Sequence, residues 1–376
     1  MIGCFKSQTL LAGLLGGCLA LATVPGAGAV ELPDVLTQPS VITPQAGHAV
    51  LLGITRAGKR LVAVGERGVV LLSDDNGLRW RQVQVPVSAT LTAVQFADPQ
   101  NGWAVGHSGA VMHTQDAGQS WNLQLDGRRA ALLELAQAQQ AVQAPEATEE
   151  AHRRALAAQQ LVDDGADKPF LALNFSDAEH GLVVGAYGLA MRTEDGGKNW
   201  HSVMGRIPNA RGLHLYALAS AQGSVYIAGE QGLLLRSSDS GGHFESLNSP
   251  YDGTYFSLAI QDDGALLVGG LRGKAFRSRD SGNTFEALIN PVPVSLASAT
   301  RVGQQTLWVN QAGSVLRSAD DSPVLQPVAI PEGSHLISVV SAPDGALVGA
   351  GFSGTSHTLM PDMGSASTLA AKAALE

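Results

Sequence analysis

Five aspartates occupy one position of a recurring string. Asp75, Asp116, Asp195, Asp239 and Asp280 each stand two residues after a Ser or Thr and two before a Gly, and an aromatic follows that Gly by three. Carboxylates paired across a cleft could hydrolyse a glycosidic bond, one as acid and the other as base or nucleophile. Equivalent copies in repeated turns suit a folding module better. A short carboxylate can accept hydrogen bonds from the backbone N–H groups of its own turn. Gly77, Gly118, Gly197, Gly241 and Gly282 would then let the chain turn, and Trp80, Trp121, Trp200, Phe244 and Phe285 would pack the turn on its sheet. The aspartates are expected to be structural, with no catalytic residue among them.

A second row is basic. Arg192, Arg236, Arg277 and Arg317 share one repeat position, where the first two repeats carry Leu72 and His113. A guanidinium fork could bind an acidic peptide, which makes the four candidates for partner contact. The alternative is a local ion pair with a carboxylate of the same or the next repeat.

Other chemistry is thinly represented. The ten histidines form no HExxH pair, no Walker string occurs, and Gly106-His107-Ser108-Gly109 falls one residue short of a nucleophile elbow. Both cysteines, Cys4 and Cys18, lie in the leader described below, so the mature chain has neither disulfide nor thiolate ligand. No metal and no cofactor is expected. A formal net charge of −9 argues against nucleic acid as a partner.

The positioning elements follow from the repeats. Each string opens with Gly-x-x-Gly and four mostly apolar residues, starting at Gly65, Gly106, Gly185, Gly229 and Gly270. A sixth copy from Asn310 keeps Gly313, Ser318 and Asp320, and a seventh from Gly351 keeps only the Gly pair. The period is about 41 residues, the propeller signature when each unit supplies four short strands. In the second unit these read Leu91–Phe96, Gly102–Val105, Ala110–His113 and Trp121–Gln124. The expectation is an all-β, seven-bladed propeller over residues 45–361.

One interval carries an insertion, residues 127–168, rich in Ala, Gln, Glu and Leu. It reads as a helical hairpin after blade 2, with Leu132, Leu135, Ala138 and Val142 on one stripe and Ala151, Ala155, Ala158 and Val162 on the other. Pro145 divides the two, and Thr148 can cap the second. The seventh unit lacks a fourth strand, so residues 30–44 are expected to supply it and close the ring. Residues 362–376 read as a flexible tail.

Residues 1–29 read as a secretory signal: Lys6, an apolar run from Leu10 to Val24, then Ala27-Gly28-Ala29. A lipoprotein signal, with Leu15-Gly16-Gly17 ahead of Cys18, fits less well because the apolar run continues past the cysteine. An exported, periplasmic protein is expected.

The repeated Asp box resembles that of BNR/Asp-box propellers, including sialidases. The fuller string, as in VGAYGLAMRTEDGGKNW and AGEQGLLLRSSDSGG, is similar to the photosystem II assembly-factor-like family of exported propellers. That resemblance covers about residues 50–360. It implies a non-enzymatic binding or assembly factor, whose partner is a membrane protein or membrane-protein complex at the periplasmic face. The chain itself is expected to be a monomer. The alternative is an exported, sialidase-like glycoside hydrolase. Against it, Arg206-Ile207-Pro208 follows the third Asp box, whereas sialidases carry that string ahead of the first.

Strand alternation places the candidate interface. Turns between second and third strands share an end of the ring with the links between blades, so the Gly-x-x-Gly turns and the hairpin belong to one face. Arg67, His107, Tyr187 and Arg272 are the expected contact residues there, because binding residues concentrate on loops held by a rigid scaffold.

Overall fold

The computed structural model describes residues 34–319 and 322–359. The expected leader at 1–29 with both cysteines, Asp320 and the expected tail at 362–376 lie outside the described residues. Among the described residues seven antiparallel sheets follow one another, six with four strands and the last with three. Within each, the strands are hydrogen-bonded in chain order. The first strands of successive blades abut, and that of blade 7 abuts that of blade 1, so the ring is closed. This is the expected seven-bladed β-propeller. Blade 2, at Leu91–Phe96, Gly102–Gly106, Val111–Thr114 and Asn122–Leu125, matches the sequence reading to within a residue at each boundary.

Apolar side chains of the second and third strands pack between blades, because a central strand is covered on both faces. Leu61, Ala63 and Leu71 of blade 1, for instance, meet Val348 and Ala350 of blade 7 in one core cluster. Blade 7 is joined to blade 1 by this packing.

Among the described residues, 34–44 do not add the expected fourth strand to blade 7, which ends at Gly354–Thr358. The segment from Asp34 instead runs along the outer edge of blade 1. There Ser40 N–H donates to Val85 O, Val85 N–H donates to Ser40 Oγ, and Ser88 N–H donates to Val35 O. Gln82 adds bonds to Val41 O and from Thr43 N–H. Pro39 and Pro44 bracket the stretch and lack the N–H donors that a ladder needs.

The insertion forms two helices, α1 (Gly127–Val142) and α2 (Glu149–Asp164). Asp126 and Thr148 cap them, accepting from Arg129 N–H and Ala151 N–H. The stripe expected on α2 holds, with Ala158 buried. On α1 the buried face is Ala130, Ala131, Glu134 and Ala138, and Leu132 is exposed. Ala138 of the expected stripe is buried, while Leu132 is replaced on the buried side by Ala131 and the charged Glu134.

Candidate functional site: the Gly-x-x-Gly face

Each Gly-x-x-Gly turn sits against the entry of its own blade's first strand. A Cβ on Gly65 would lie 2.0 Å from Val50 O, so the blade 1 turn as it stands admits no side chain there. Blade 6 has Asn310 there, fully buried, its Oδ1 accepting from Ala312 and Ser314 N–H. The third residue of each intact turn has left-handed backbone: Arg67 (φ 51°), Ser108 (58°), Tyr187 (55°), Gln231 (51°) and Arg272 (58°). The Asp-box turns hold Asn76, Ala117, Ser240 and Ser281 in the same region, so the conformation belongs to both kinds of repeated turn.

The Gly-x-x-Gly turns present side chains outward. Arg67, His107, Tyr187 and Arg272 are all exposed. The side chains of Arg67 and Arg272 make no hydrogen bond or ion pair among the described residues. The acidic turn residues are engaged: Glu66 accepts Val50 N–H and Glu230 accepts His214 N–H. The hairpin reaches the same face, because α1 packs on the turn His107–Gly109 and Lys168 Nζ lies 5.0 Å above the Tyr187 ring. That distance is within cation–π range.

From Tyr187 an aromatic wall runs inward. His214 meets Tyr187 edge-on at 4.9 Å and Tyr216 at 6.0 Å, and Tyr216 meets Phe256 at 5.2 Å. Burial, then the Glu230 carboxylate, raises the Tyr216 phenol above its ordinary value, so it stays neutral. The wall ends at the central channel, a space of about 590 Å³ lined by first strands.

The channel mouth has a feature that the sequence reading missed. Every first strand skips one residue against its second strand: Leu52, Thr92 and Leu171 in blades 1 to 3. Tyr216, Phe256, Ala297 and Ile337 do the same in blades 4 to 7. A bulge re-aims the side chain of the extra residue, and all seven of these line the channel. Paired large apolar residues at strand starts, such as Leu51-Leu52, Tyr255-Phe256 and Leu336-Ile337, break the alternation and could have revealed it.

The arginine row lies elsewhere. Arg192, Arg236, Arg277 and Arg317 sit on third strands toward the Asp-box end, each with a local partner: Glu194, Glu245, Glu286 and Gln326. Arg236 also donates to Ser281 O of the next blade at 2.8 Å. In blade 2 Gln124 makes the equivalent bond to Gly196 O, while His113 stacks on Trp103 at 4.5 Å, its pKa lowered by burial. The row therefore does not converge with Arg67, His107, Tyr187 and Arg272; it ties strands and blades together.

The five aspartates are each bound by their own turn. Thr193 Oγ1 accepts Gly197 N–H at 2.8 Å and donates to Asp195, which accepts Asn199 N–H at 2.9 Å. Asp75, Asp116, Asp239 and Asp280 repeat the pattern. Hydrogen bonds hold all five carboxyls below the ordinary range; at Asp116 they outweigh an opposing burial effect that is the largest single contribution. Among the described residues that line the channel none is charged, so the carboxylate pair of a glycosidase has no counterpart there.

The family model of the photosynthesis system II assembly factor YCF48 matches residues 55–139 and 152–301. The chain belongs to this family. The gap between the matched stretches falls at the tip of the hairpin. A photosystem II stability/assembly factor, HCF136, of Cyanidioschyzon merolae is 33% identical over 92 residues, 22% of this chain and 21% of its own length. A photosystem II assembly lipoprotein, Ycf48, of Synechococcus sp. (strain CC9902) is 31% identical over 77 residues, 20% of this chain and 23% of its own length. The chain thus matches about a fifth of the length of these curated relatives. Two solved structures share the fold. YCF48 bound to a D1 peptide superposes with a TM-score of 0.60 at 17% identity, covering 86% of this chain and 97% of that one. YCF48 from Cyanidioschyzon merolae does so with a TM-score of 0.58 at 15% identity, covering 85% and 98%. No helix of the described residues is long and apolar enough to cross a membrane.

Proposed function

We propose that the protein is an exported, monomeric, non-enzymatic assembly factor that holds a peptide segment of a membrane-protein client at the periplasmic face. Family membership and the names of the relatives support the assembly role. The observation that carries the binding face is the pair Arg67 and Arg272, exposed and unengaged on their turns, on the same rim as the hairpin that supplies Lys168 to Tyr187. His107, under the first turn of α1, joins them. The arginines Arg192, Arg236, Arg277 and Arg317 stay outside this contact set, since each is engaged by a neighbour.

The test is capture of a client from native membranes, read by mass spectrometry. A Tyr187→Ala and Arg272→Ala double variant should lose the captured membrane protein while melting like the parent. Replacing Arg128 to Asp164 by a short Gly/Ser bridge should preserve the ring and weaken capture. Unchanged capture by both folded variants would move the site off this face.

A further inference from the structure

Several of the polar side chains that line the channel are already engaged by neighbouring blades. Thr92 Oγ1 donates to Phe170 O at 2.7 Å, and Gln95 exchanges bonds with both backbone groups of Phe175. Ser220 Oγ donates to Asn174 Oδ1 at 2.6 Å, and Ser298 Oγ to Ile337 O at 2.7 Å. These bonds stitch blade 2 to 3, 4 to 3 and 6 to 7. What remains for a guest at the mouth is the set of bulged side chains, Leu52, Leu171, Tyr216, Phe256 and Ile337, with the uncharged Gln311 and Ser338 and no charge in the lining. A charged guest would lose its hydration there with no counter-charge to replace it, at a cost that disfavours it. An apolar guest would gain from burial, and about 590 Å³ lies within the range of sites that hold small ligands.

We infer that the channel mouth is an anchor pocket for one or two uncharged apolar side chains of an extended peptide. The chain carrying them passes along the wall from Phe256 and Tyr216 to His214 and Tyr187. Matched absence of charge selects the occupant, and the aromatic run leads from the mouth to the rim where the peptide backbone would lie. This deepens the peptide-holding reading above and rests on it. It adds a subsite whose specificity is hydrophobic, separate from the cationic rim.

The experiment uses the purified protein and the neutral dye N-phenyl-1-naphthylamine, followed by its fluorescence. Competitors are a blocked neutral hexapeptide containing leucine and phenylalanine and the same peptide with aspartates in their place. Expected are dye binding, displacement by the first peptide, and displacement at least tenfold weaker by the second. Phe256→Glu places a charge in the mouth, and Ala297→Trp fills it without one; each should weaken dye and peptide binding tenfold or more. The exposed Lys59→Ala, in a turn at the opposite end, should leave both unchanged. Should Phe256→Glu fail to fold, Ala297→Trp decides alone, with its melting temperature as the control. Equal binding by parent and Ala297→Trp, no dye binding at all, or equal displacement by both peptides would overturn the inference. Displacement by a neutral alkyl glucoside but by neither peptide would also overturn it, pointing to a lipid chain. Loss of client capture in the rim variants with normal peptide displacement would leave the pocket standing, whereas normal capture by Ala297→Trp would remove it from the client site.

Discussion

Arg154 of α2 donates two hydrogen bonds, each 2.8 Å, to the Glu134 carboxylate of α1, whose side chain is 1% exposed. Ser202 of blade 3 donates a third bond to the same carboxylate. The hairpin is thereby locked both to itself and to the ring. Breaking one side of a buried pair leaves an uncompensated charge and costs about 3–5 kcal/mol, whereas replacing both by apolar residues can be neutral. Arg154→Met should loosen the hairpin, read as faster amide exchange across α1 and α2 with the blades unaffected. The double variant Glu134→Leu, Arg154→Met should recover most of the protection. Equal exchange in parent and single variant would show that the pair does not hold the hairpin.

The Asp boxes should behave as folding devices. Thr193→Val removes the acceptor of the buried Gly197 N–H and should cost about 1–3 kcal/mol in urea unfolding. Trp200→Ala, at a side chain 2% exposed, should cost more, about 3–5 kcal/mol. Native stability in both would contradict the structural role.

Acid should expose the same boxes. The Thr284 hydroxyl, then Thr284 N–H and the Ser278 hydroxyl, holds the Asp280 carboxyl down to about 2 from 3.8. For a group lowered in the folded state, the stabilisation is complete above the unfolded value and is lost as pH falls through the folded one. Melting temperature should therefore fall between pH 4 and 2. Asp280→Asn should melt below the parent at pH 6, with the gap narrowing toward pH 2. A gap that stayed constant across that range would refute the linkage.

The N-terminal segment makes a different prediction from a closing strand. Ser40, 1% exposed, accepts Val85 N–H, so Ser40→Ala should cost about 1–2 kcal/mol. The loss should appear as faster exchange at the outer edge of blade 1, around Arg81–Val83. Faster exchange confined to Gly354–Thr358 would favour blade 7 instead.

Legibility followed the range of the interactions. The repeat period, the strands of each unit, the Asp-box turns and the two helices were all readable because each depends on residues within one repeat. Thr193, Asp195, Gly197 and Trp200 meet within eight positions of chain, and local hydrogen bonds decide their arrangement. The exposed turns bearing Arg67, His107, Tyr187 and Arg272 followed from alternation alone, since a strand order of one to four leaves no other end for them.

Partners in other blades were a different matter. Arg236 and Glu245 face each other across one hairpin, nine residues apart, but only the ring brings Arg236 to Ser281 of the next blade. The Asp34 segment took the edge of blade 1, where Gln82 and Val85 answer its polar groups, and no pattern within residues 30–44 encodes that choice. The seven bulged residues face one channel because closure of the ring points every first strand at the axis. Composition and period determined that a seven-bladed propeller would form. Which side chains share a surface was decided by packing between blades, whose contacts join residues one repeat or more apart.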